Sequence, residues 1–153
     1  MVKSKDNTFS VETAEDSSGF LLWQVTTLWQ RKVRQVLEQY DLTHSQFVLL
    51  TNLHWFTVHN QEVTQILLSH HSKIDPMTTS AVLRTLQKKG LIKRQEHITD
   101  TRAKMLKITI KGKKLIKQAI ITVEQTDRDF FALLGDRVKT LNEMLVELQK
   151  IPH

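Results

Sequence analysis

The residues with the clearest chemical potential in this sequence are cations. Twelve of its 22 lysines and arginines fall between Arg84 and Lys117, where only Glu96 and Asp100 oppose them. That segment carries +10 and leaves the remainder of the chain at −4. An acidic body with one strongly basic segment points to a polyanionic partner rather than to a small substrate. Signs of catalysis are missing. The sequence has no G-x-S-x-G, H-E-x-x-H or P-loop pattern, and the isolated Gly19, Gly90, Gly112 and Gly135 cannot build a phosphate cradle. No enzyme activity is expected. The absence of cysteine excludes a disulfide scaffold, a thiolate zinc site and an iron–sulfur cluster. None of the 7 histidines is three or four residues from another, and the adjacent His70 and His71 point apart on a helix, so neither metal nor cofactor is expected.

These cations have to be positioned by a small domain. A chain of 153 residues reads as one domain, long enough to bury a core without staples. No apolar run approaches the roughly 18 residues that cross a bilayer. The stretch from Met1 to Ser18 is polar and mixed in charge, unlike a signal peptide. The expected location is cytoplasmic, without a membrane partner.

The pattern is mainly helical. Leu22, Val25, Trp29, Val33, Val36 and Tyr40 recur in steps of three or four and predict a long amphipathic helix over 20–40. Phe20, Trp23 and Leu28 widen its stripe beyond what a small core needs. Thr43 is an N-cap for a helix over 44–57, and Thr64 caps a short helix containing Ile66, Leu67 and Leu68. His70 to Lys73 read as a polar turn. Asp75 as N-cap, Pro76 at the first helical position and Gly90 as C-cap delimit a helix over 76–89. Leu91–Glu96 and Arg102–Ile108 then read as two strands of a basic hairpin, joined through the turn chemistry of Asp100 and its flanking threonines. Thr109 caps a helix with one apolar face, Gly135 breaks it, and Val138, Leu141, Leu145 and Leu148 mark a helix-pairing seam over 136–150.

A short helix, a tight turn, a second helix and a basic hairpin make a winged helix-turn-helix. Flanking helices with surplus apolar surface predict a two-fold dimer. The expected fold class is therefore mainly α with a small β-hairpin, divided into four parts. These are a flexible tail over 1–18, a dimerisation helix over 19–41, a winged helix-turn-helix over 42–109 and C-terminal dimerisation helices over 110–153.

Specific strings sharpen this reading. Asp75-Pro76-Met77-Thr78-Thr79-Ser80, Leu83 through Arg94 with its Lys88-Lys89-Gly90-Leu91-Ile92 core, Asp100-Thr101-Arg102 and Thr109-Ile110-Lys111-Gly112 stand at separations that resemble the MarR family of transcriptional regulators. Leu42 to Phe47 resembles that family's entry to its second helix, and the likeness extends from about Leu42 to Leu115.

The resemblance implies a homodimeric repressor that binds double-stranded DNA at a palindromic operator. A recognition helix would enter the major groove and a wing the minor groove. Pro76, Met77, Thr78, Thr79, Ser80 and Arg84 would then face DNA, where short hydroxyl side chains let the backbone approach phosphates and base edges. Arg102, with Arg94 and Lys104 on the hairpin, would serve the wing, because a narrow minor groove attracts arginine. Asp100 would brace the wing, and Thr64 and Gln65 would meet phosphates. The resemblance further implies a cleft for a small-molecule effector, lined by Trp23, Trp29, His54 and Trp55. Many members carry arginine where Ala81 stands and a small polar residue where Met77 stands, so base readout differs here. On the residues alone, an RNA-binding winged helix and a hairpin that docks an acidic protein remain alternatives.

Overall fold

The computed structural model describes Asp6, residues 8–96 and residues 104–152. Residues 97–103, on which the expected hairpin turn with Asp100 and Arg102 falls, lie outside the described residues. A short 3-10 turn at Ala14–Asp16 leads into α1, Ser18–Leu37, whose N-cap Ser17 accepts the Phe20 N–H. A further 3-10 turn, Glu38–Tyr40, closes α1 and ends at Asp41 in the left-handed conformation. Helix α2, His44–Val58, starts with a capping box in which Thr43 and Gln46 exchange side-chain-to-backbone bonds. Helix α3 is Gln65–Ser72 and α4 is Pro76–Lys88. Strands β1, Ile92–Glu96, and β2, Lys104–Ile108, pair antiparallel with Ile92 opposite Ile108 and Arg94 opposite Leu106. Helix α5, Ile110–Phe131, is followed by a 3-10 stretch over Ala132–Arg137, kinked at Gly135, and by α6, Val138–Leu148.

Two details differ from the pattern reading. The histidines at 70 and 71 continue α3 rather than forming a turn, and Lys73 (φ +63°) ends that helix. The hairpin also has a third short partner: Leu106 N–H donates to Val63 O at 2.8 Å, and Thr64 bridges Met105. The chain entering α3 is thereby fixed to the wing.

The core lies where α1, α2 and α5 meet the helix-turn-helix. Val33 and Leu37 of α1, Leu49, Leu50 and Leu53 of α2, Leu68 of α3, Leu83 and Leu86 of α4, and Ile116, Ala119 and Val123 of α5 are buried together. Polar ties fasten α1 and the 3-10 turn that closes it to α5: Trp29 Nε1 donates to Asp127 Oδ1 at 2.8 Å, and the Tyr40 hydroxyl donates to Gln118 O at 3.3 Å.

The two ends of the chain are packed differently. Only Val33 and Leu37 of α1 are buried, whereas Phe20, Leu22, Trp23, Val25 and Leu28 stay exposed. Helix α6 buries none of its residues, and Met144, Leu145, Val146 and Leu148 lie open to solvent. Within one chain, the surplus apolar surface of these helices remains uncovered. Among the described residues, no helix is long and apolar enough to cross a membrane.

Candidate nucleic-acid interface

Helix α4 is held at both ends by local chemistry. Asp75 Oδ1 accepts the Thr78 N–H at 2.8 Å. Its bonds to Thr78 hold the Asp75 carboxyl below its usual range and keep it charged at the positive end of the helix. At the other end Gly90 adopts φ +74°, with its N–H on Gln87 O and the Leu91 N–H on Leu86 O at 3.0 Å. That double bond pattern is a Schellman closure, which needs the left-handed residue that glycine supplies.

The helical period sorts the side chains of α4. Thr79, Leu83 and Leu86, spaced by four and three, face the core and are buried. Pro76, Met77, Thr78, Ala81, Arg84, Thr85 and Lys88 are exposed, and Ser80 is half-buried between the two faces. Thr79 was expected to present its hydroxyl to DNA. It is instead fully buried, and its Oγ1 donates to Ile74 O at 3.3 Å. Ser69 Oγ donates to the same carbonyl at 2.7 Å, and Ile74 N–H donates to Ser72 Oγ at 3.2 Å. Thr79 thus belongs to the lock on the turn between α3 and α4.

The wing stands beside this helix. Lys93 and Lys107, directly opposed across the hairpin, are both exposed. Like charges facing one another in a strand pair repel, and an anion between them relieves the cost. Arg94, by contrast, turns inward. Its Nη2 donates to Gln65 Oε1 at 3.3 Å and to Ser80 O at 3.2 Å. Gln65 is therefore engaged with the wing, while Thr64 spends its side-chain oxygen on the Leu67 N–H as the cap of α3. Lys104 opens β2 opposite Glu96. Arg102 and Asp100 lie outside the described residues.

Lys89 also departs from a solvated helix-end charge. It donates to Asp41 O and, at 3.1 Å, to Gln46 Oε1, and it pairs with the Asp41 carboxylate at 3.5 Å. The end of α4 is thereby moored to the start of α2. Sequence spacing carries no signal for that tie, because the partners are over 40 residues apart.

The four aromatic and histidine residues expected to line a cleft are dispersed. Trp23 is exposed on the outer half of α1, about 9 Å along the helix axis from Trp29. Trp29 sits at the junction of α1, α2 and α5, edge-on to His44 with ring centroids 5.2 Å apart. Trp55 is exposed and tilts over His59 at 4.2 Å, whereas the neighbouring His54 is half-buried. Burial first, then the charges of Lys117 and Lys113, hold His54 below its ordinary value. Its Nδ1 and the hydroxyl of Thr51, one turn earlier on α2, are shielded from water without a hydrogen-bond partner among the described residues. Sequence reasoning missed Thr51. Among the described residues, no group of three histidine or carboxylate side chains converges as a metal site.

A short helix and a capped helix joined by a locked turn, with a basic hairpin beside them, define a winged helix-turn-helix DNA-binding protein. Residues 38–125 match the family model described as ArnR1-like, winged-helix domain. The chain is 46% identical over 116 residues to YdcH, an uncharacterized HTH-type transcriptional regulator of Bacillus subtilis (strain 168), covering 76% of this chain and 79% of that protein. Among solved structures it is similar to the S. aureus MepR–DNA complex, with a TM-score of 0.78 and 24% identity over 87% of this chain and 96% of the other. It is also similar to Bordetella bronchiseptica BpsR, solved to explain regulation of DNA binding by 6-hydroxynicotinic acid, with a TM-score of 0.81 and 19% identity over 90% and 96% of the two chains. The chain belongs to the family of ArnR1-like winged-helix, HTH-type transcriptional regulators, DNA-binding proteins rather than enzymes, and it shares its fold with the MarR-type structures.

Proposed function

We propose that this regulator acts in the cytoplasm as a homodimeric repressor, binds a palindromic operator, and is released by a small-molecule effector. The observation that carries this reading is the uncovered apolar surface on α1 and α6, at opposite ends of the chain from the recognition helix in sequence. A second copy that covers it doubles the reading head about a two-fold axis, and a two-fold protein matches a palindrome with half-sites about one helical turn apart. On each half-site Pro76, Met77, Thr78, Ser80 and Arg84 would face the major groove. Arg102 and Lys104 would serve the minor groove, with Asp100 bracing the wing. In the domain scheme, 19–41 and 110–153 then carry dimerisation and 42–109 carries recognition. The first half of α5 also belongs to the core of the reading head, through Ile116 and Ala119.

The unpartnered Nδ1 of His54 and hydroxyl of Thr51 support an effector site between α2 and α5. Buried polar groups without partners are costly, and a ligand that bonds them recovers that cost. The regulation of BpsR by 6-hydroxynicotinic acid supports an aromatic carboxylic acid as the first class to try.

The test is parallel selection by the purified protein from a random duplex-DNA library and a random RNA-hairpin library, with sedimentation at micromolar concentration. The expected result is a dimer that enriches an inverted repeat. A folded monomer, or enrichment of a single unrepeated half-site, would contradict the dimeric reading. Enrichment of RNA hairpins over duplex DNA would favour the RNA-binding alternative.

A further inference from the structure

The alternation of the hairpin places one residue against expectation. Ile92 and Leu106 are buried on the core-facing side of the wing, and Arg94, two residues after Ile92 and directly opposite Leu106, shares that side. A guanidinium turned toward a core must find acceptors there, because desolvating it unpaired is costly. Arg94 finds one on each helix of the helix-turn-helix motif. Gln65, whose Oε1 accepts at 3.3 Å, is the first residue of α3. Ser80, whose backbone oxygen accepts at 3.2 Å, lies in the second turn of α4, between the exposed Met77 and Arg84. Both bonds leave from Nη2; the Nε of Arg94 is shielded from solvent without a hydrogen-bond partner among the described residues, and burial, followed by the charge of Arg84, pushes the pKa below the ordinary arginine value. A group that exists to neutralise phosphate gains nothing from such a position. A group that must hold three elements at fixed separation does.

We propose that Arg94 is a positioning residue for operator recognition: it locks the root of the wing to α3 and α4 and does not itself pair with a DNA phosphate. The proposal rests on α4 being the reading helix. Only a fixed distance between α4 and the wing lets both enter adjacent grooves of one duplex in register, so the bridge governs selectivity. Non-specific binding depends on counterion release and is insensitive to that distance.

The experiment measures affinity by fluorescence anisotropy for two duplexes of equal length, one selected by the wild-type protein and one unrelated, across a salt series. The variants are Arg94→Lys, Arg94→Met, Gln65→Met and the double variant Arg94→Lys/Gln65→Met. The lysine ammonium stops one bond short of where Nη2 sits, so Arg94→Lys keeps the charge and loses the bridge. Each single variant should lose about tenfold or more on the selected duplex and little on the unrelated one, with the salt slope unchanged. The double variant should be no weaker than the weaker single, because both partners belong to one bridge. The proposal is overturned if Arg94→Lys restores wild-type affinity while Arg94→Met flattens the salt slope by about 0.9, the mark of a lost phosphate contact. Additive losses, or equal losses on both duplexes, also overturn it. If the Arg94 variants fail to fold, Gln65→Met carries the same comparison with the arginine in place. If the wild-type protein selects no duplex, the reading of α4 falls first and the bridge falls with it.

Discussion

A β-carbon on residue 112 would lie 2.1 Å from the carbonyl oxygen of Leu91 and 3.1 Å from Cγ1 of Ile108. The first turn of α5 passes directly over the end of α4, and three hydrogen bonds hold it there. Thr109 N–H donates to Leu91 O at 3.0 Å, the Thr109 hydroxyl donates to Gly90 O at 2.7 Å, and Lys111 Nζ donates to Lys89 O at 3.0 Å. The T-x-x-G string is thus a junction between the wing and α5. Gly112→Ala cannot be absorbed by a side-chain rotation, because the obstacle is backbone. The expected loss is about 1–3 kcal/mol or more, read as a lower urea midpoint with an unchanged m-value. An unchanged midpoint would show that the approach is looser than the geometry states.

Thr79 and Thr78 are neighbours with opposite duties. Thr79→Val keeps the shape and removes the donor to Ile74 O, so it should cost about 0.5–1.5 kcal/mol of stability. Operator affinity per folded molecule should not change. Thr78→Ala removes an exposed hydroxyl and should weaken operator binding with little change in melting temperature. The reverse pairing of effects would mean that the two faces of α4 are exchanged.

Arg84 is the exposed cation on the outer face of α4 one turn after Ser80. Arg84→Met should reduce the magnitude of the slope of log K against log salt by about 0.9 if it meets a phosphate. If it meets a guanine instead, the slope holds and discrimination at one base pair falls by about 1–3 kcal/mol. Loss of neither quantity would remove Arg84 from the interface.

Two histidines give stability a pH dependence of defined sign. Burial, with a smaller contribution from Arg34 and against the pull of Asp127, holds His44 below 6.5. Burial and the charges of Lys117 and Lys113 do the same to His54. Each group binds fewer protons folded than unfolded in the window below 6.5, so stability rises with pH there. Stability should be complete above that value and fall as pH drops toward the folded-state values. Thermal unfolding at about pH 7.5 and about pH 5.5 should show the lower melting temperature at the acid end, and a smaller drop in His54→Gln. A melting temperature that rises on acidification would reverse the assignment.

Local chemistry made much of the fold legible in advance. Asp75, Pro76 and Gly90 punctuate α4, Thr43 starts α2, Gly135 interrupts the C-terminal helices, and the steps of three and four through Trp29, Val33 and Val36 mark the stripe by which α1 meets the core. Each of these signals acts within a few residues, through a cap, a left-handed turn or a helical period, so it is written in the order of the letters.

Other roles depend on what packs against a residue from far away in the chain. Thr79 reads as one of three hydroxyls on a reading helix, and only the packing of α3 beneath it turns it inward to Ile74. Arg94 and Lys89 read as members of a basic run, yet one bridges α3 and α4 and the other moors α4 to Asp41 and Gln46. Charge and residue type give the sequence its class of partner, a polyanion. Which cations are free to meet that partner was decided by the tertiary structure, because burial and hydrogen bonding are set by neighbours that the local sequence does not contain.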